Sequence, residues 1–259
     1  MLAIAFQHGV SLEELQAANP EVDPRFLSVG MQLVIPIGKD TPSVIPSPTP
    51  APVGLQEPDC YPAPDGIWCF VPVENDQPLA LENVSAWVRL YNMQGEVVAE
   101  QEAIAPLNVL EPEESLPLVV FFDEPAVIDL QETLVPGADL LSAFSVPEDD
   151  GRYLQAQAQT VNSTIEADGL QATVEGWVEL PSGSPTASLV WLAVVAYGPE
   201  GEVVGVRKLE LDTALSPKEI LPFTATVYSL GPPIQRVEIS VEARSPPELD
   251  LAFTPSPGP

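Results

Sequence analysis

A two-copy repeat sets the first limit on this fold. Val84 to Pro117 reads VSAWVRLYNMQGEVVAEQEAIAPLNVLEPEESLP, and Val190 to Pro222 reads VWLAVVAYGPEGEVVGVRKLELDTALSPKEILP. Tyr91 matches Tyr197 and Gly95-Glu96-Val97-Val98 matches Gly201-Glu202-Val203-Val204, at an offset of 106. Pro112, Glu114 and Pro117 then match Pro217, Glu219 and Pro222 at an offset of 105, one residue having dropped out. Two copies are too few for a solenoid, and each spans about 100 residues, so the pattern predicts tandem domains.

Each copy carries a period of two. Val84, Ala86, Val88 and Leu90 alternate onto one face, as do Val190, Leu192, Val194 and Ala196. Gly198-Pro199-Glu200-Gly201 places proline where a type I turn takes it, with a glycine free for positive φ. Gly95 repeats that role, so both copies predict a hairpin with a bulge at the glycine. Further strands are expected at 67–73, 116–122, 140–146, 153–161, 172–180, 223–228 and 237–243. Short strands at this spacing point to β-sandwiches.

Composition narrows the partners. Nine basic residues face 38 acidic ones, for a formal charge of −29. Such a chain repels phosphate backbones and offers no Lys/Arg stripe against them, which excludes nucleic acid; an anionic membrane surface is disfavoured likewise. No apolar run reaches the length of a membrane span. The 31 prolines gather at linkers and strand ends. Residues 38–58 hold the Ser-Pro-Thr-Pro-Ala-Pro core of a semi-rigid, polyproline-type tether, and the 247–259 tail has the same character.

Cys60 and Cys69 enclose two prolines and an Asp-Gly turn. A disulfide closing that loop stabilises by about 2.7 kcal/mol on the chain-entropy model. It also favours an oxidising compartment. Free thiols or half a metal site are the competing readings, and with one histidine in the chain the metal reading lacks ligands.

No phosphate loop, nucleophile elbow or His-Glu-x-x-His helix occurs, and no cofactor, metal or catalytic residue is implied. His8 lacks a nucleophile or ligand partner and reads as structural. The acidic pairs Glu13-Glu14, Glu113-Glu114 and Asp149-Asp150 are what 38 acids produce on a solvated surface. Glu148-Asp149-Asp150-Gly151 is a candidate Ca²⁺ cluster without the alternating spacing of a dedicated loop. Trp68, Trp87, Trp177 and Trp191, with Phe121 and Phe122, are candidates for core packing or for a sugar-stacking surface. Trp87 and Trp191 lie opposite the core alternation, so partial exposure is expected there.

The N-terminal stretch carries a different signature. Ser11-Leu12-Glu13-Glu14 is a capping box opening a helix that Asn19-Pro20 ends. Arg25-Phe26-Leu27 forms one more turn, and Gly30 leads into a strand, 32–35, stopped by Pro36. The ordered run Gly9-Val10-Ser11-Leu12-Glu13-Glu14-Leu15, Ala18-Asn19-Pro20, Asp23, Leu27, Gly30 and Leu33-Val34-Ile35-Pro36 resembles the lysin motif (LysM). That family is a small βααβ module binding N-acetylglucosamine polymers such as peptidoglycan and chitin. The resemblance implies a glycan-contacting loop at Asn19, Pro20, Asp23, Leu27 and Gly30. Residues 1–5 already match the family's first helix, so its first strand and Gly-Asp-Thr turn are missing. The chain is therefore expected to be a fragment or to have a misassigned start, with any export signal upstream. The repeat in turn resembles the FxLYD-type, immunoglobulin-like domains of bacterial surface proteins, which implies spacing or protein interaction.

The expected protein is mainly β: a truncated α+β lysin motif at 1–37, a Pro-rich linker at 38–58, immunoglobulin-like sandwiches at 59–148 and 149–246, and a tail at 247–259. Its expected function is non-catalytic binding of peptidoglycan or a related N-acetylglucosamine polymer at the cell envelope. The sandwiches would serve as spacer or as docking surface for another envelope protein. Two other readings remain: a β interaction protein with a vestigial module, and the non-catalytic part of a larger wall hydrolase.

Overall fold

The structure is a computed structural model and describes residues 12–20, 33–36, 50–123, 134–148, 150–211 and 213–246. The chain divides into two compact units, Met1–Thr49 and Pro50–Pro259.

In the first unit, helix α1 spans Leu12–Ala18. Leu15 is fully buried. Ser11 of the capping box and the Arg25-Phe26-Leu27 turn lie outside the described residues, as do His8, residues 38–49 of the linker and the 247–259 tail. Leu33–Pro36 carry no strand pairing among the described residues, where a strand was expected. A strand needs a neighbour to bond to; here a side chain from the end of α1 holds the segment instead.

The second unit is mainly β. Its first half runs β1 (Gly54–Leu55), β2 (Asp59–Ala63), β3 (Gly66–Glu74), β4 (Leu81–Tyr91), β5 (Val97–Ile104), β6 (Val109–Leu110), β7 (Ser115–Phe122) and β8 (Val135–Ser145). β2, β3 and β7 pair in one layer and β5, β4 and β8 in the other. A single Ile104–Val119 pairing joins the layers. The second half repeats the layout. β10 (Gln157–Ile165), β11 (Gln171–Glu179) and β14 (Ile220–Tyr228) face β13 (Val203–Leu211), β12 (Leu189–Tyr197), β15 (Arg236–Arg244) and the short β9 (Tyr153–Leu154).

The inward face of each strand is the apolar one that alternation predicts. Ala86, Val88 and Leu90 are buried in the first sandwich, and Val190, Leu192, Val194 and Ala196 in the second. Cys60 and Cys69 are directly opposed across the β2–β3 hairpin, with Cα atoms 4.1 Å apart and the disulfide formed. Pro64 and Asp65 make its two-residue turn, and Pro62 is tolerated because β2 is an edge strand.

The repeat motifs resolve into two turns. In the first, the Gly95 N–H donates to the Asn92 carbonyl at 2.9 Å and the Gly201 N–H to that of Gly198 at 3.3 Å. Both glycines sit at positive φ, +81° and +89°, as the third residue of a bulged hairpin loop. A second bulge follows, because Tyr91 opposes Val97 while Leu90 opposes Ala99, leaving Val98 as the extra residue. Val204 occupies the same place in the second copy.

In the second turn, Pro112-Glu113 and Pro217-Lys218 are the central residues, with φ of +62° at Glu113 and +75° at Lys218. Positive φ after proline is a type II turn, which favours glycine there. Glu114 and Glu219 then fold back, each accepting from the backbone N–H three residues earlier at 3.1 and 3.2 Å. The shared glutamate is thus a turn cap. Lys218→Gly is expected to stabilise the fold by about 0.5–1 kcal/mol, the relief of left-handed strain less glycine's entropy cost. The urea midpoint of the variant reads it directly.

Candidate functional site

Around α1, Asn19 is buried and its amide is fully engaged. Nδ2 donates to the Leu15 and Val34 carbonyls, both at 2.7 Å, and Oδ1 accepts from the Val34 N–H at 2.8 Å. The residue therefore ties the helix end to the 33–36 segment, and both its amide N–H groups are taken by backbone carbonyls. Pro20, beside it, is exposed. Asp23, Leu27 and Gly30 of the expected loop lie outside the described residues.

In the β unit the tryptophans separate by role. Trp191 is half-buried at the junction of the sandwiches, with Lys208 Nζ 3.4 Å from its ring centroid and the Arg244 guanidinium at 5.1 Å. Trp87, also half-buried, lies on a polar sheet face between Glu102 and Asp139. Trp177 is half-buried on the outward face of β11. Trp68 stacks on Phe121 with centroids 4.7 Å apart, and Phe122 belongs to the first core.

The junction explains why the two copies differ on their outward faces. In the first copy that face carries Ser85, Trp87, Arg89 and Tyr91; in the second it carries Trp191, Ala193, Val195 and Tyr197. Ala193, Val195, Tyr197 and Val203 are buried and continue the core of the first sandwich. β12 is thus apolar on both faces because both are covered.

Polar contacts pin the same junction. The Asp59 carboxylate accepts from the Val203 N–H at 2.8 Å. Glu242, 1% exposed, accepts from the Asn108 N–H at 2.5 Å and the Val109 N–H at 3.2 Å, and pairs with Arg244. The Tyr153 hydroxyl donates to Glu82 at 2.8 Å, and burial with that carboxylate pushes its pKa up to about 12. Asp150, in the candidate Ca²⁺ cluster, is instead held by Arg152 at 2.6 Å. Among the described residues no three His, Cys, Asp or Glu side chains converge as metal ligands.

Burial first of all raises the carboxyl pKa of Asp59, Glu111 and Glu114. In the window between the ordinary carboxyl value and the raised one, the folded chain binds more protons than the unfolded chain. Stability therefore increases as pH falls through that window. Asp150 is shifted down by Arg152, so its contribution is lost only below the ordinary aspartate range and does not oppose the trend. The urea midpoint is expected to rise as the pH is lowered from 7 toward the ordinary carboxyl range; a midpoint that falls over that range would contradict this balance.

A cavity of about 530 Å³ lies where β13 and β14 of the second sandwich meet β3 and β7 of the first. Trp68, Phe70, Arg207, Thr224, Thr226 and Tyr228 are among its lining. Sequence reasoning placed Trp68 but missed the cavity, because no local pattern shows which sheet edges two copies bring together.

Comparison with protein families finds the LysM domain at residues 3–36. The N-terminal segment is a LysM module, and a mainly β unit of two sandwiches follows it. Comparison with curated proteins finds no match. Among solved structures, the chain overlaps Amycolatopsis orientalis exo-chitosanase CsxA E541A in complex with PNP-β-D-glucosamine at 18% identity and a TM-score of 0.26. That overlap covers 74% of this chain and 25% of the other. Red sea bream transglutaminase overlaps at 8% identity and a TM-score of 0.24, covering 74% and 29%. The chain thus spans about a quarter of the length of these structures, and at such scores they assign it neither fold nor activity. Among the described residues no helix is long and apolar enough to cross a membrane.

Proposed function

We propose that this chain is a non-catalytic cell-envelope protein that binds peptidoglycan or a related N-acetylglucosamine polymer through its LysM module. The observation that carries the reading is the family match at residues 3–36, with the ordered LysM signature in the sequence. The Cys60–Cys69 disulfide supports an oxidising, extracytoplasmic location. The β unit suits a spacer or a docking surface: two sandwiches joined through an apolar face hold a fixed geometry at the end of a Pro-rich tether.

Calorimetric titration with a soluble N-acetylglucosamine oligomer tests this. The full chain is expected to bind. Leu15→Asp, which places a carboxylate at a fully buried position, is expected to remove the LysM share of the heat of binding while the β unit stays folded. Equal binding by the variant would remove the LysM module from the account.

A further inference from the structure

We infer that the cavity between the two sandwiches is a second glycan subsite, one that takes a neutral N-acetylated sugar. The inference rests on the glycan-binding reading and extends it from the LysM module to the β unit.

The chemistry of the walls points to that class. Trp68 is stacked on Phe121 on one side and lines the cavity, and Tyr228, 59% exposed, adds aromatic surface. Flat aromatic faces suit the apolar C–H face of a pyranose. Thr224 supplies a hydroxyl that both donates and accepts, and Thr226 one that is shared with the Thr173 hydroxyl at 3.3 Å.

Arg207 supplies a donor of another kind. It is exposed at the cavity, and among the described residues no carboxylate lies within ion-pair distance of it. Arg89, Arg152, Arg236 and Arg244 each hold such a partner. The N–H groups of a guanidinium beside a cavity suit the acetamido and hydroxyl oxygens of a sugar.

The position of Arg207 also has a structural use. Its cross-strand partner is Val194, a core residue, so Arg207 sits on the core-facing side of an edge strand. A charge placed there deters strand addition, which argues against an extended peptide as occupant. Anionic polymers are opposed by the charge of −29 over the whole chain. A neutral sugar meets neither obstacle. Occupancy here and at the LysM module by one polymer would make attachment bivalent, and each weak contact would raise the effective concentration for the other.

The tryptophans separate the two sites experimentally, because all four lie beyond residue 50 and none is in the LysM segment. The full chain is titrated with N-acetylglucosamine tetramer while tryptophan emission is followed. A saturable change is expected. Arg207→Gln, at an exposed position, should weaken it about tenfold, as loss of a charged hydrogen-bond donor does. Leu15→Asp should leave it intact while removing the calorimetric LysM signal. No saturable change at millimolar tetramer, or an unchanged midpoint in Arg207→Gln, would overturn the subsite and leave the LysM reading standing. A persistent emission change beside no LysM heat in the full chain would do the reverse.

Discussion

Glu242→Ala is expected to lose about 3–5 kcal/mol of stability, the cost of breaking a buried charged contact by removing one partner. Glu242 is 1% exposed and accepts from two backbone N–H groups of the 108–109 segment in the other sandwich. Truncation takes the acceptor from the buried Val109 N–H and the half-buried Asn108 N–H and the carboxylate from Arg244, which also packs over Tyr153 and Trp191. Glu242→Gln keeps an acceptor oxygen and should lose less than half as much. Urea unfolding of both variants checks the ordering. Because the residue bridges the sandwiches, the alanine variant should also broaden the transition as the two halves begin to unfold separately.

Gly66→Ala is expected to lose about 3 kcal/mol, the upper end for an added methyl in a packed strand pair. A Cβ at Gly66 would lie 2.1 Å from the Phe122 carbonyl oxygen and 2.6 Å from the Phe121 ring. The carbonyl is backbone, so β3 and β7 would have to part just where Phe121 supports Trp68. Gly95→Ala makes the contrast: nothing lies within 4 Å of its Cβ, and only the φ of +81° opposes the substitution. It should cost about 1–2 kcal/mol, and the difference in melting midpoint between the two alanine variants separates crowding from backbone strain.

Much of the β unit was legible because its signals are local. The Gly-Glu-Val-Val repeat is a glycine at positive φ followed by a bulged valine, and the Pro-x-Glu repeat is a type II turn capped by its glutamate. What escaped was not local. Residues 153–161 read as one strand, yet the chain divides there: β9 pairs with β15 in one layer and β10 with β11 in the other. Period-two alternation cannot tell which layer a strand joins. Asp59–Ala63 read as part of a closed loop and is an edge strand whose only strand partner among the described residues is β3.

Trp191 shows the same limit from the other side. Its place opposite the core alternation predicted partial exposure, and it is half-buried, with Lys208 and Arg244 over its ring; what escaped is that the other sandwich covers this face. The clue was present, since Val190–Tyr197 is apolar on both faces whereas the first copy has Ser85 and Arg89 on the outward one. Asn19 was expected from the family resemblance to contact sugar; its amide groups serve the module's own backbone. A motif marks a residue as required without saying whether the fold or the ligand requires it.

Sedimentation with insoluble peptidoglycan at moderate salt tests the central claim most directly, comparing the full chain with a version that begins at Gly54. Depletion of the full chain from the supernatant, with the shortened chain depleted far less, is the predicted result. Equal depletion of both, or of neither, would contradict attachment through the LysM module.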